Sequence, residues 1–499
     1  MRFVVTALIL SFSVYFAAGD QTSISISAAD KVRLFSVVTQ PRAMAEKDKS
    51  SIASVREAEI AITPDAATLA RQPAILIQLF DGNVREATSV TIELRSATDV
   101  TWTGKIAYGA VDGDVIITHR GGFVSGLIYG PTSAYEIVPR GEKHILVELD
   151  QSLFPDCAGA VATNHEATKP RTTLDPSVGV DSGDRIDVMV VYTTAVKNFL
   201  GGDAQAQALA QSAIDEANAA YLNSKIRQRV RMVHTQEFVY TETTDSGIDL
   251  FNLRDSQIIQ TLRETHKADL VVMLNESADV CGIGFLMDAP GGTPSYGFSI
   301  TTRACAIGNL VFAHELGHNM GSDHNPENAA GTTIFPFGYG HYVNGNYRTV
   351  MSYTNPCPDG CMRRPYFSNP SVSFNGLPTG IEGARDNARM INATADWIAN
   401  YGYSGTSITM TNFTAAGDWL PLRIRRNVTW TSDNLGGNVK IELSRDDGTT
   451  WETLVVSTAN DGSEAISVGG RATRRGRIRV TSLANPTVSD SSVTNVSIR

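Results

Sequence analysis

Charged side chains are scarce in this sequence: Asp, Glu, Lys and Arg make up 19% of its 499 residues, and the formal net charge is −10. The sequence pI is near 5.4. An acidic chain of this kind does not favour nucleic acid or an anionic membrane as its main partner. The hydrophobic content of 42% is typical of a globular protein, and the length predicts two to four domains.

Long apolar runs are also lacking. After residue 19 no segment reaches about 18 consecutive apolar residues, so we expect no transmembrane segment. The N-terminus has one arginine, a short apolar run over residues 3–16 and then Ala17-Ala18-Gly19, a pattern typical of a signal peptide over residues 1–19. A buried first strand is the alternative. We therefore expect a secreted, extracellular protein, periplasmic only in transit.

Cysteine is rare, with five in the chain, and export places these cysteines under oxidising conditions. The simplest pairing joins Cys357 to Cys361 and Cys281 to Cys305, although sequence alone does not fix connectivity. Cys157 is then left without a partner.

The chain reads as a multidomain protein that begins, after the signal peptide, with a β-rich region and linker over residues 20–180. A polar stretch extends to about residue 70, and strand-like segments follow it. Short strands broken by glycine over residues 102–149 predict a meander that ends at FPDCAGA (154–160). Residues 158–184 are rich in Thr, Pro, Asp and Gly, which indicates a linker.

Residues 181–403 have a different pattern, in which apolar strands alternate with helical segments. The strands RIDVMVVYTTA (185–195), VRMVHTQEFVY (230–240) and ADLVVMLN (268–275) flank helices at 201–224 and 256–266. This order predicts an α/β domain with a mostly parallel twisted sheet.

Residues 404–499 are again all-β and predict an immunoglobulin-like β-sandwich. The segment SRDDGTTW (444–451) resembles the Asp-box hairpin signature. We interpret it as a stabilised hairpin without a ligand.

Histidine is scarce as well, yet three of the nine histidines fall within HELGHNMGSDH (314–324). Residues four apart on a helix differ by about 40° in direction, so His314 and His318 share a face, while Glu315 lies roughly 100° further round. This spacing suits two imidazoles on one Zn²⁺ ion and a carboxylate that takes a proton from water. Gly321 can adopt a positive φ and turn the chain so that His324 becomes the third ligand.

Structural histidines are the alternative interpretation of this cluster. Residues 307–313 are apolar, however, so the helix is expected to be buried, and buried imidazoles without partners are costly. The other histidines, including His234, His266 and His341, lack such spacing and receive no role. His341 comes closest, because it follows the motif and could line the same cleft.

The histidine motif resembles the long zinc signature of the metzincin endopeptidases, and the similarity extends over about residues 185–402. Met351 in RTVMSYTNPC (348–357) stands where that family has its methionine turn, beneath the metal ligands. The order of strands and helices, together with CGIGFLMD (281–288), is most similar to secreted bacterial reprolysin (adamalysin)-like members. Asn325 departs from that subgroup, which has aspartate after the third histidine.

The resemblance implies roles for further residues. CGIGFLMD would contain the edge strand that pairs with an extended peptide substrate. Residues 20–180 would be a propeptide whose Cys157 thiolate binds the zinc ion; a free buried cysteine and an intermolecular disulfide are the alternatives. Tyr353 would reach the zinc ion or the transition-state oxyanion, or else simply pack in the core.

We therefore predict a secreted zinc endopeptidase, made as a zymogen, that acts on protein or peptide substrates with Glu315 as general base. A structural Ca²⁺ ion is left open, and a monomer is expected. For the C-terminal module three roles stay open: it could bind carbohydrate, bind another protein or only aid secretion. Two alternatives remain: an extracellular binding or adhesion protein with a vestigial zinc domain, and a zinc hydrolase of non-peptide amides.

Overall fold

The computed structural model describes residues 31–163, 185–402 and 407–499, apart from positions 110, 278, 332, 414–416, 434, 436 and 493. The predicted signal peptide and most of the predicted linker lie outside the described residues. The first region folds into one large sheet and a short helix, with these bounds: β1 (Val32–Arg33), β2 (Phe35–Val37), β3 (Ser54–Ile62), α1 (Ala66–Leu69), β4 (Ala74–Gln78), β5 (Val84–Ser96), β6 (Asp99–Tyr108), β7 (Val111–Arg120), β8 (Phe123–Tyr129), β9 (Ala134–Arg140) and β10 (Lys143–Leu149).

These ten strands lie in the order β1-β4-β5-β6-β7-β8-β9-β10-β3-β2. All neighbours are antiparallel except β1 and β4. Consecutive strands are neighbours from β4 to β10, so the predicted meander is confirmed. The stretch up to residue 70, which the sequence marks only as polar, contains β1, β2 and β3. Phe35 and Ile60 are buried in the core of the sheet, and the charged residues interspersed along β3 conceal its inward face.

The central region forms a second sheet with helices on it. Its elements are β11 (Ala160–Ala162), β12 (Arg185–Thr193), α2 (Thr194–Leu200), α3 (Asp203–Asn223), β13 (Arg229–Phe238), α4 (Ser246–Asp255), α5 (Gln257–His266), β14 (Leu270–Asn275), β15 (Gly282–Leu286), β16 (Phe298–Thr302), α6 (Arg303–Ala306), α7 (Val311–Asn319), β17 (Tyr342–Val343), β18 (Tyr347–Arg348), β19 (Met362–Arg363), β20 (Ser373–Phe374), β21 (Leu377–Pro378) and α8 (Asn387–Ile398).

The six-stranded sheet has the order β11-β15-β16-β14-β12-β13. Its pairs are parallel except for β15, which runs antiparallel to β16, so the mostly parallel sheet is confirmed. The strand β11 corrects the linker prediction, since residues 160–162 of the expected linker pair with β15. A three-residue strand without large side chains has no local signal and depends on its partner.

The first sheet packs directly on the central region through the alanine-rich helix α3. Leu127 and Tyr129 of β8 share one buried core with Leu209 and Ala213 of α3. Asp215 of the same helix accepts hydrogen bonds from first-sheet side chains, namely the Thr118 hydroxyl (2.6 Å) and the Arg95 guanidinium (3.2 Å). Residues Val32–Arg499 form one compact unit, and the division into domains at residues 181 and 404 stays a prediction.

The C-terminal region consists of strands only: β22 (Ser407–Met410), β23 (Trp419–Leu420), β24 (Arg425–Asp433), β25 (Asn438–Ser444), β26 (Glu452–Ala459), β27 (Ser463–Ser467), β28 (Thr473–Ser482), β29 (Ser489–Ser491) and β30 (Val496–Ile498). They form a three-stranded and a six-stranded sheet around one apolar core. In the hairpin of SRDDGTTW, the Ser444 hydroxyl donates to Asp446 (2.7 Å) and the Trp451 indole donates to the Gly448 carbonyl (3.0 Å). These hydrogen bonds stabilise the hairpin turn, and the absence of a ligand stays a prediction.

Both predicted disulfides, Cys281–Cys305 and Cys357–Cys361, are present. Cys157 is free and buried. Within the described ranges, no helix is long and apolar enough to cross a membrane.

Candidate active site

Three imidazoles converge at the C-terminal end of α7. The Nε2 atoms of His314, His318 and His324 lie 3.1 Å from one another. The whole of α7 is buried, as expected from the apolar residues before the motif. Gly321 has φ +85°, which confirms the predicted left-handed turn after the helix. The chain reverses there and returns His324 to the other two rings.

Main-chain carbonyl groups hold each ring in place. Each Nδ1 donates to one oxygen: His314 to Val350 (2.8 Å), His318 to Ser322 (2.9 Å) and His324 to Asn328 (3.2 Å). Since Nδ1 carries the proton, the Nε2 atom of each neutral ring directs its lone pair into the triangle.

This arrangement fits a metal ion. Burial lowers the pKa of all three histidines, so the rings are neutral. Three acceptor nitrogens facing one another without a donor repel each other unless a cation lies between them. The triangle is small enough for one ion to lie about 2.0–2.1 Å from every nitrogen, the Zn–N distance found in proteins. Three neutral imidazoles also match the donor set of catalytic zinc sites.

Glu315 lies beside the triangle in a space left by two glycines of the edge strand. A Cβ atom on Gly282 would come within 2.5 Å of one Glu315 carboxylate oxygen, and a Cβ atom on Gly284 within 3.0 Å of the other. The carboxylate is fully buried, and burial raises the pKa of Glu315 to about 8 despite the opposing Cys157 thiol and Arg363 charge. The alternating glycines of CGIGFL were a readable signal whose role sequence reasoning missed.

Met351 packs against the helix that carries His314 and His318. Its Sδ atom lies so close to Gly317 of α7 that a Cβ atom there would come within 2.4 Å of it. The turn that contains Met351 is fixed by Asn325, whose side-chain oxygen accepts hydrogen bonds from the Ser352 hydroxyl (3.2 Å) and the Tyr353 amide (3.0 Å). The amide of Asn325 therefore supports this turn from the position where the adamalysin-like subgroup has aspartate.

The segment around Cys157 covers the site. The Cys157 Sγ atom, a ring nitrogen of His314 and a carboxylate oxygen of Glu315 lie within 4.8 Å of one another. The Tyr353 hydroxyl donates to the Cys157 carbonyl (2.9 Å), and the Tyr353 ring lies 4.2 Å from the His324 ring, centroid to centroid. In this form of the chain Tyr353 therefore contacts the covering segment, and its role towards a metal or an oxyanion stays a prediction.

The covering segment continues along the edge of the sheet. The Ala158 amide donates to the Gly282 carbonyl (3.0 Å), and residues 160–162 then pair with β15 in parallel. The Thr163 amide and hydroxyl donate to Asp288 at 2.9 and 2.6 Å. The edge strand thus pairs with an extended peptide, which here belongs to the same chain. His341 does not join the site: its ring lies near Arg385 and Tyr342.

The three neutral imidazoles fit one metal ion, and a buried carboxylate lies beside them. An extended peptide pairs with the adjacent strand. This combination is that of a metal-dependent peptidase. Comparison with known proteins leads to the same class. Residues 182–368 match the profile Reprolysin_5, described as metallo-peptidase family M12.

Two bacterial relatives extend this similarity. A peptidyl-Asp metalloendopeptidase of Xanthomonas campestris pv. campestris is 29% identical over 357 residues, 68% of this chain and 84% of that protein. A protein of the same name from Stenotrophomonas maltophilia (strain R551-3) is 31% identical over 301 residues, which is 58% of this chain and 70% of that protein. The chain belongs to metallo-peptidase family M12 and is a reprolysin-like metalloendopeptidase.

The structural match to a crystal structure of metalloproteinase-II from Bacteroides fragilis covers 50% of this chain and 81% of that protein's chain. The sequence identity is 9% and the TM-score is 0.33. That similarity is too distant to inform on the site.

Proposed function

We propose that this metalloendopeptidase is a secreted zinc enzyme, made as a zymogen, that cleaves peptide bonds next to aspartate. The convergence of three neutral imidazoles beside a buried carboxylate carries the proposal. The preference for aspartate is taken from the name shared by the relatives. Secretion rests on the predicted signal peptide over residues 1–19, and the propeptide on residues 20–180.

His314, His318 and His324 would hold the zinc ion, whose chemistry is to polarise the scissile carbonyl and to lower the pKa of water. Glu315 takes the proton from the attacking water and delivers it to the leaving amine nitrogen. Burial favours this role, because a carboxylate with a raised pKa both accepts and releases a proton near neutral pH. The space at Gly282 and Gly284 keeps the carboxylate against the edge strand where the substrate lies.

In the zymogen, the propeptide occupies the substrate's place. Its residues 160–162 use the edge strand, and Cys157 lies beside His314 and Glu315. We propose that the Cys157 thiolate would bind the zinc ion and so exclude the attacking water. After processing, the Tyr353 hydroxyl loses its acceptor at Cys157 and can donate to the oxyanion of the transition state.

The test replaces the general base. Glu315→Gln should retain one equivalent of zinc and lose casein hydrolysis by at least a thousandfold, because the amide cannot take the proton. Zinc analysis and a casein assay with and without chelator measure both properties. The exposed Glu382→Gln serves as the matched control and should behave as the wild type. A Glu315→Gln enzyme of full activity would refute the assignment.

The zymogen is tested by Cys157→Ser. This precursor should cleave casein before any processing, since a hydroxyl is a weaker zinc ligand than a thiolate. The neighbouring Ala158→Ser variant, which keeps the thiol, should stay latent. A Cys157→Ser precursor as latent as the wild type contradicts the thiolate switch.

All three histidines and Glu315 are present together. This disfavours the alternative of an adhesion protein with a vestigial zinc site, because such a site has no need of Glu315. A structural Ca²⁺ ion and a ligand of the C-terminal module stay predictions.

A further inference from the structure

Two arginines lie buried side by side next to the active site. Arg348 and Arg363 are each 2% exposed and pair with each other in the parallel ladder of β18 and β19. Both side chains reach the Ser352 carbonyl oxygen, Arg348 at 2.9 Å and Arg363 at 3.2 Å. Both also donate to Asn309, Arg348 to its side-chain oxygen (3.2 Å) and Arg363 to its carbonyl (2.8 Å). Two guanidinium groups thus share one pair of neutral residues.

Their charge is not compensated locally. Among the described residues, no carboxylate oxygen lies within 4.0 Å of either guanidinium, and the Nε atom of each is buried without a hydrogen-bond partner. Arginine stays protonated in proteins, and the desolvation of a buried ion costs several kcal/mol unless a counter-charge is present. Two adjacent cations repel one another in addition. In the C-terminal region, by contrast, the buried Arg479 is paired with Glu442 at 2.8 Å.

The pair borders the peptide-binding cleft. Ser352, which accepts from both arginines, directly precedes Tyr353, and Tyr353 contacts His324 and the Cys157 carbonyl. Arg363 lies close enough to the reaction centre for its charge to affect the pKa values there. It lowers the pKa of His314, as burial does, and it lowers the pKa of Glu315, which burial raises.

Propeptide residues before Cys157 lie against the strand that carries Arg363. The Gln151 side-chain oxygen accepts from the Arg363 amide (2.7 Å), and Gln151 also donates to the Gly308 carbonyl (3.0 Å). Burial lowers the pKa of both guanidiniums, and Cys157 and Asp156 counteract this shift. Asp156 is the acid that the chain itself brings to this side of the cleft, and processing would remove it together with Gln151.

We propose that Arg348 and Arg363 bind the carboxylate of the substrate's aspartate and thereby determine the specificity of cleavage. This inference rests on the proposed function, since it assigns residues to the aspartate preference. Guanidinium groups bind carboxylates through two parallel hydrogen bonds, and the unpartnered Nε atoms supply donors for them. A substrate with a neutral side chain leaves both charges unpaired, so it is rejected.

The test measures kcat/KM of the matured enzyme on two peptides that differ only by Asp or Asn at the cleavage site. The wild type should favour the Asp peptide by at least a hundredfold. Arg348→Met and Arg363→Met should each reduce this ratio at least tenfold, mainly through KM for the Asp peptide, while zinc content stays at one equivalent. Arg348→Lys and Arg363→Lys, which keep the charge but lose the planar fork, should give intermediate ratios.

Arg364 provides the matched control. In the precursor it is equally buried, but its guanidinium donates to the Gly130 and Pro131 carbonyls just after β8 instead of to Ser352, and processing would remove both partners. Arg364→Met should leave the ratio unchanged. Wild-type ratios in all the Arg348 and Arg363 variants overturn the specificity assignment alone. A wild type that cleaves both peptides equally well overturns the aspartate preference of the proposed function as well. A wild type that cleaves neither peptide nor casein overturns the proposed function itself.

Discussion

Glu136 makes the contact between the first sheet and the central region sensitive to pH. This residue of β9 is buried, with one carboxylate oxygen unpartnered, and it faces Gly308 just before α7. Burial raises the pKa of Glu136 from 4.5 to about 8; Glu57 adds to the shift and Arg303 opposes it. The folded chain therefore keeps a proton on Glu136 that the unfolded chain has already lost at neutral pH.

The sign and size of the effect follow from this difference. Below pH 4.5 Glu136 is protonated in both the folded and the unfolded chain, so its contribution to the free energy of unfolding is fully present. Between pH 4.5 and about 8 the free energy of unfolding falls by about 1.4 kcal/mol per pH unit. Above pH 8 both states are ionised, and the total loss levels off at about 5 kcal/mol. Glu136→Gln stays neutral, so it should equal the wild type near pH 4.5 and exceed it by several kcal/mol at pH 8.5.

Urea unfolding at pH 4.5, 6.5 and 8.5 measures this difference, with Glu315→Gln in every variant to prevent self-cleavage. Glu142→Gln, which removes an exposed carboxyl beside the same sheet, is the control and should follow the wild type. Wild-type and Glu136→Gln curves that stay parallel across this pH range would show that Glu136 is not held protonated in the folded chain.

Two further predictions concern the support of the active site. Gly317→Ala should lower stability by about 1–2 kcal/mol and weaken zinc binding, because overpacking against Met351 outweighs a gain of about 1 kcal/mol in helix propensity. Urea unfolding measures the stability and zinc titration measures the binding. A variant that is more stable than the wild type contradicts the close contact with Met351. Replacing Cys281 and Cys305 by serine should cost about 3 kcal/mol, the effect of a cross-link that closes a loop of this size; an unchanged unfolding midpoint contradicts it.

Much of the fold was predictable because the relevant signals are local. Helix α3 has the length and the alanine content of a helix, and strands β12 and β14 are short apolar runs rich in valine. The convergence of the three histidines follows from helical spacing and one glycine, so the sequence contains that geometry as well.

The parts that were missed depend on contacts between distant residues. Strand β11 exists only because β15 offers an edge for it. Gly282 and Gly284 gain their role from Glu315, more than thirty positions away, whose carboxylate needs their space. Arg348 and Arg363 become a pair through the register of β18 and β19, which no local pattern encodes.

The central claim is that three imidazoles bind one zinc ion and that the Cys157 thiolate is its fourth ligand in the precursor. X-ray absorption at the zinc edge of the purified precursor tests it most directly. The expected result is three nitrogen ligands at about 2.0–2.1 Å and one sulfur at about 2.3 Å, with oxygen replacing the sulfur in Cys157→Ser. A precursor without zinc, a zinc ion with fewer than three imidazole ligands, or one without a sulfur ligand would contradict the claim.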